Sequence, residues 1–232
     1  MVTKRSPAKT KNRWSGVALD GDDTREIKLR TLIRAAGKAF GTKGFHNTTL
    51  DDVAAAVHVT KPALYRYVKN KHQLLYECHR ISIGMAERAF EESDAAGGRP
   101  VEILHRFVLA YVVELTSELG TCVMLTEYYS MLPADNRRIQ QRRRALDTAL
   151  RSLVQRCVAD GDAAPCDPKL AVFYFMGAIN NISRWFTETG ASSGFEVALR
   201  FADFTVATVC GRAAAKAVAG RKRVAVFGKA HA

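Results

Sequence analysis

Apolar residues recur along most of this chain at intervals of three and four, the spacing that lines side chains up on one face of an α-helix. Leu29, Leu32, Ile33, Ala36 and Phe40 mark a first helix over residues 24–40, with Arg30, Arg34 and Lys38 on another side and Gly41 and Gly44 to stop it. Leu50, Val53, Ala54 and Val57 mark a short second helix over 50–57. Thr49 is placed to cap it, and Asp52, three residues on, is a shorter relative of the capping-box glutamate. A third piece, 60–67, opens at Thr60, whose hydroxyl can again cap, and carries Pro62 in its first turn, where a helix tolerates proline. A long helix is expected from Lys71 through Leu74, Leu75, Cys78 and Ile81 toward Phe90, ending before the turn-like AAGGRP. Apolar and polar residues nowhere alternate for more than a few positions, so the expected fold is all-α.

The last third of the pattern makes a second demand. Over residues 193–217, Phe195, Leu199, Ala202, Val206, Val209 and Ala213 follow the 4-3-4-3-4 spacing of one continuous seam. Val197, Phe201, Phe204 and Thr208 make the opposite side apolar too. A helix with two apolar faces must be covered twice, and the preceding LAVFYFMGAINNISRWF, apolar nearly all round, asks for the same. A four-helix interface built from these two segments of each of two subunits satisfies both, with the Phe195–Ala213 seam as the dimer contact. A buried central helix of a monomer is the weaker alternative, because few helices remain to cover it.

Composition narrows the class. At 232 residues and 47% hydrophobic, the chain can bury a sizeable core. No apolar run reaches the length of a membrane span, and MVTKRSPAKTKNRWSG lacks the apolar stretch of a signal peptide, so a cytoplasmic protein is expected. Five scattered cysteines, Cys78, Cys122, Cys157, Cys166 and Cys210, suit reduced thiols better than a disulfide framework. His46, His58, His72 and His79 have no partners at metal-ligand spacing, and neither a nucleophile elbow nor a phosphate-binding glycine loop occurs. Neither an enzyme, nor a cofactor, nor a metal site is expected.

Charge changes the picture most. Residues 1–80 hold 16 basic and 7 acidic side chains, a net +9 of the total +12. Such concentration suits a polyanion. Two short helices joined by a turn, the second facing solvent, within that basic third form a helix-turn-helix, whose second helix enters the DNA major groove. The division expected is a basic arm at 1–22, a DNA-binding domain at 23–70, a helical ligand-binding and dimerisation domain at 71–217 and a basic tail at 218–232.

Over residues 25–80, GTKGFHNTTLDDVAAAVHVTKPALYRYVKNKHQLL resembles the DNA-binding domain of the TetR family of bacterial transcriptional repressors. His58 stands where the family usually has the glycine of the turn, so a slightly strained turn is expected. The resemblance implies a homodimer formed through the last two helices. Thr60, Lys61, Pro62 and Ala63 then begin the recognition helix, and Lys61 is the expected base reader, with guanine its expected target. Tyr65, Arg66, Tyr67, Lys71 and Thr49 are expected at the backbone, Lys71 from a helix N-terminus that itself attracts phosphate. The basic arm, with Lys4, Arg5, Lys9, Lys11 and Arg13, either reaches an adjacent minor groove or is a solubilising tail.

Farther on, Arg143 projects into the stripe Ile139, Leu146, Leu150, Leu153 and Cys157, with Arg142 at its border. Asn180 and Arg184 align with Phe173, Met176 and Gly177, beside Trp185. Arginines on apolar faces point either to ion pairs with Glu127, Asp147 or Glu188, or to a chamber for a ligand with an apolar and an anionic part. Arg142-Arg143 with Leu146, followed by DPKLAVFYFMGAINNISRWF, resembles TetR regulators that respond to acyl-coenzyme A thioesters. That resemblance implies a repressor released from a palindromic operator by such an effector. The rival readings are a nonspecific architectural DNA-binding protein and a helical interaction protein whose basic third is merely solvated.

Overall fold

The computed structural model describes residues 21–124, 126 and 128–211, and the regular structure among them is entirely helical. The basic arm, apart from its last two residues, and the basic tail fall outside the described residues. Three helices, α1 (Gly21–Lys43), α2 (Leu50–Ala56) and α3 (Lys61–Tyr65), form the N-terminal unit. Its core holds the expected stripe, Leu32, Ile33, Ala36 and Phe40, against Phe45, Val53, Leu64 and Val68. Helix α1 starts inside the expected arm and passes through Gly41, since one helical glycine keeps its hydrogen bonds and costs only about 1 kcal/mol. The stop comes at Gly44, which takes φ 81°.

Thr49 and Asp52 form the expected capping box at the start of α2. The Thr49 hydroxyl accepts from the Asp52 amide at 3.1 Å, and the Asp52 carboxylate accepts from the Thr49 amide at 2.8 Å. These bonds to Thr49, with Lys43 alongside, lower the carboxyl from 3.8 to about 2. Its contribution is therefore complete above about pH 4 and fades as pH falls toward 2.

After α2 the amides of His58 and Val59 reach back to the carbonyls of Ala55 and Ala54, at 3.1 and 3.0 Å, a helix ending that requires a left-handed residue. That residue is His58, with φ 55°. Thr60 starts α3 without the expected side-chain cap. Its two candidate donors are the amides of residues 62 and 63, and Pro62 has none.

Helix α4 (Lys71–Ala95) continues past the expected Phe90 and gives way to Gly97 and Gly98, both at positive φ. At 25 residues it is about 37 Å long. It packs first on α1 and then on the C-terminal helices, so it belongs to both halves of the molecule. These helices are α5 (Pro100–Leu115), α6 (Glu118–Met124), α7 (Pro133–Ala159), α8 (Pro168–Asn180) and α9 (Gly194–Val209), with 3-10 turns at Tyr128–Ser130 and Ile182–Arg184. Helix α6 also touches α1. A Cβ on Gly37 would lie 2.9 Å from the Cys122 carbonyl oxygen, and Arg34 meets Glu118 at 2.5 Å. No single helix among the described residues is long and apolar enough to cross a membrane.

The expected seam on the last helix faces the other way. Ala202 and Val206 are completely buried within the subunit, against α5, while Phe204 on the opposite side is 63% exposed. Leu199 and Val209 are half-covered and Phe195 lies open at the N-terminal end. A stripe of this spacing says that something covers it, not what, and α5 offers a complementary face of Val101, Leu104, Val108 and Val112. The helix ends at Val209, before a left-handed Gly211 at φ 87°, and Ala213 lies outside the described residues.

The left-handed site generates a prediction. His58→Gly should raise stability by up to about 1 kcal/mol, because the side chain is exposed and only its backbone penalty is lost, whereas His58→Val should lower it. Urea unfolding of the three proteins provides the check.

Candidate DNA-reading and effector sites

Helix α3 presents Thr60, Lys61, Pro62, Tyr65 and Arg66 to solvent, with Ala63 and Tyr67 half-buried and Tyr67 packed on the core. The Lys61 ammonium lies 2.9 Å from Asp51, an exposed pair that keeps it protonated and sets its direction at the head of the helix. Thr49 spends its hydroxyl on Asp52, donating at 2.7 Å as well as capping. Lys69, which the sequence reading did not single out, is exposed in the turn before α4.

Lys71 departs from the expected phosphate role. Its ammonium donates to the carbonyls of Phe45, His46 and Thr48 at 3.0, 3.3 and 3.3 Å and lies 4.5 Å from the centre of the Phe45 ring. The α1–α2 loop turns its carbonyls toward the start of α4, and an ammonium is the donor that can meet three at once. Lys71 therefore fastens the loop to α4.

A cavity of about 840 Å³ opens between α4, α5, α7 and α8. Ile83, Ala86, Leu146, Leu150, Val172 and Met176 give it an apolar wall. Arg143 and Asn180 line it as expected, and Tyr111 joins them, donating its hydroxyl to the Asn180 side chain at 3.0 Å. A tyrosine within the apolar run LHRFVLAYVVEL needs a partner for its hydroxyl, which is the signal that could have placed Tyr111 here. Arg143 makes no ion pair among the described residues. Burial lowers its pKa, with Tyr111 and Tyr128 opposing that loss. Of its expected carboxylate partners, Asp147 is held by Arg151, Glu188 is exposed, and Glu127 lies outside the described residues.

The other three expected cavity residues lie elsewhere. Arg142 turns to α4 and grips both carboxylate oxygens of Glu87, one at 3.0 Å. Helix α8 stops at Asn180, and the 3-10 turn after it rotates Arg184 out of line with Phe173 and Met176 to an exposed position. Trp185, half exposed, stacks on Phe201 of α9 instead, with ring centres 6.1 Å apart.

A solvent-facing second helix on a basic unit, mounted through a shared helix on a cavity-bearing domain, defines a DNA-binding transcriptional regulator. Residues 32–78 match the model of bacterial regulatory proteins of the tetR family, and residues 97–209 match that of the tetracyclin repressor-like C-terminal domain. Together they take in more than half of the chain, which belongs to the TetR family. The HTH-type transcriptional regulator YhgD of Bacillus subtilis strain 168 is 25% identical over 150 residues, 64% of this chain and 78% of its own. The TetR-family regulator PfmR of Thermus thermophilus has a similar structure, with a TM-score of 0.67 and 27% identity over 75% of this chain and 96% of that one. AibR in complex with isovaleryl coenzyme A and operator DNA shares the fold, with a TM-score of 0.66 and 22% identity over 79% of this chain and 98% of that one. Regulators of this family typically act as dimeric, ligand-responsive repressors.

The two lysines should separate in experiment. Lys61→Ala should leave unfolding unchanged and lower discrimination at one base position of each half-site about tenfold, measured by binding to single-substitution duplexes. Lys71→Met should instead lower stability by about 1–3 kcal/mol in urea unfolding, because the carbonyls it joins lose their donor.

Proposed function

We propose that the protein is a repressor that binds a two-fold symmetric operator as a homodimer and is released by a small effector combining an apolar body with an anionic group, an acyl-coenzyme A thioester being the best-fitting class. One observation carries the reading: Arg143, half-buried and without a carboxylate partner among the described residues, faces a cavity whose surface is mostly apolar and whose one carboxylate, Asp147, is taken by Arg151. An arginine so placed is costly unless an anion joins it. The AibR complex with isovaleryl coenzyme A supports the class, since that protein shares this fold.

The route from cavity to DNA follows shared elements. Ser82, Ile83 and Ala86 of α4 form one wall of the cavity, and the same helix begins at Lys71, which holds the reading unit. Met124 of α6 lines another side, and α6 meets α1 at Gly37 with no room for a side chain. Filling the cavity shifts the tilt of α4 and thereby the separation of the two reading heads. A coupling of about 1–3 kcal/mol is typical and gives about 5- to 150-fold release.

The dimer face supported by exposure is the α8–α9 side. Leu170 and Tyr174 of α8 and Phe204 of α9 are each more than half exposed, with Trp185 beside them. Covering three such side chains contributes on the order of 5 kcal/mol before association costs.

Two outcomes are expected. Phe204→Glu should sediment as a folded monomer and lose operator affinity, whereas Val206→Glu, completely buried inside the subunit, should unfold instead. Arg143→Ala should bind operator within about twofold of wild type, yet need at least about tenfold more effector for release. Thermal stabilisation against acyl-coenzyme A esters and their free acids identifies the effector, since a ligand at 100 times its dissociation constant adds about 2.7 kcal/mol. A wild-type protein unmoved by the whole panel would overturn the effector class.

A further inference from the structure

Helix α7 carries seven arginines, and they sort into two sets. Arg138, Arg142, Arg151 and Arg156 pair with Asp135, Glu87, Asp147 and Asp94. Arg137, Arg143 and Arg144 have no such partner among the described residues, and all three line cavities. Arg143 faces the inner cavity. Arg137 and Arg144, two helical turns apart, face a second groove of about 770 Å³ on the outside of α7.

The groove adjoins the inner cavity, because Gln140 and Arg144 line both. Gln141 continues the strip of 137, 140, 141 and 144 along one helix face, and no carboxylate lines the groove. The groove lies by the first turns of a 27-residue helix, whose positive dipole end adds to the two guanidiniums. At its edge Tyr129 is 78% exposed, with one side of its ring against Tyr128, ring centres 3.8 Å apart, and the other open. Guanidiniums and an open aromatic face are the complement of phosphates and a flat base.

We propose that the outer groove seats the phosphorylated nucleotide headgroup of a two-part effector whose acyl body fills the inner cavity, with the phosphates across Arg137 and Arg144 and the base against Tyr129. This rests on the effector reading of the inner cavity and adds the second half of the ligand. Arg144 stands at the passage between the two spaces, where the linker of a coenzyme A thioester crosses. The 3-10 turn that bears Tyr129 also approaches the reading unit, Ser130 lying 3.4 Å from His46. A headgroup stacked on that turn thus bears on the loop that Lys71 fastens.

The test compares straight, branched and aromatic acyl groups, each presented as coenzyme A thioester, pantetheine thioester and free acid, by calorimetry on the wild type, Arg137→Ala/Arg144→Ala and Tyr129→Ala. The coenzyme A thioester should bind the wild type at least about tenfold tighter than the pantetheine thioester with the same acyl group. The double arginine variant should erase that difference while holding the pantetheine thioester as well as the wild type does, and Tyr129→Ala should reduce it in part. Equal binding of the two thioesters by the wild type would overturn the headgroup seat and leave the inner cavity's role standing. A double variant with unchanged ligand preference and weaker operator binding would make the groove a DNA phosphate contact, which also overturns it. If no thioester or acid binds the wild type at all, both the effector reading and this proposal fail.

Discussion

The ammonium of Lys71 sits where the first residues of α4 meet the loop between α1 and α2, donating to three carbonyls of that loop. Because of that bond the reading unit and α4 move together. Leu74, Leu75 and Cys78, one and two turns farther along α4, are buried and extend the attachment into the N-terminal core. Beyond them α4 offers Ile83 and Ala86 to the cavity. In the proposed function, a helix about 37 Å long, fastened to the reader at one end and lining the cavity farther along, is the element that carries a displacement from the cavity to the recognition helix.

Much of this was legible in the sequence, for physical reasons particular to each element. The Thr49–Asp52 cap, the core stripe of α1 and the long helix from Lys71 are local consequences of spacing and stereochemistry, while the left-handed turn at His58 came from the family resemblance. The reading face of α3 followed from two short helices that cannot bury both of their sides. What failed required knowing a neighbour. Lys71 at a helix start looks like a phosphate ligand until the loop carbonyls around it are seen. The seam of Ala202 and Val206 looks like an interface until α5 covers it. Arg184 left the cavity because α8 ends at Asn180, at the polar pair Asn180-Asn181, whereas its expected alignment with Phe173 and Met176 assumed that the helix runs on.

The apolar demand of the last two helices nevertheless survives with its faces exchanged. Coverage by α5 satisfies the side with small residues, Ala198 and Ala202, which permit close approach. The bulkier side, Phe204 with Tyr174 and Leu170 of α8, is left open in the single chain. The same sorting governs charge on α7, where four arginines are neutralised by nearby carboxylates and three are held in reserve along cavity walls. In both cases the residues left without a partner inside the subunit are those that suit one from outside.

In the proposed function the cavity and the reading helix share one equilibrium through α4. Linkage makes this directly measurable, because an effector that weakens operator binding must itself be bound more weakly, by the same factor, when operator is present. The measurement is the dissociation constant of the tightest-binding thioester, determined by calorimetry for the free dimer and for the dimer saturated with operator. The account predicts an increase of about 5- to 150-fold on operator binding, equal to the loss of operator affinity caused by the thioester. Identical thioester affinity with and without operator would contradict it.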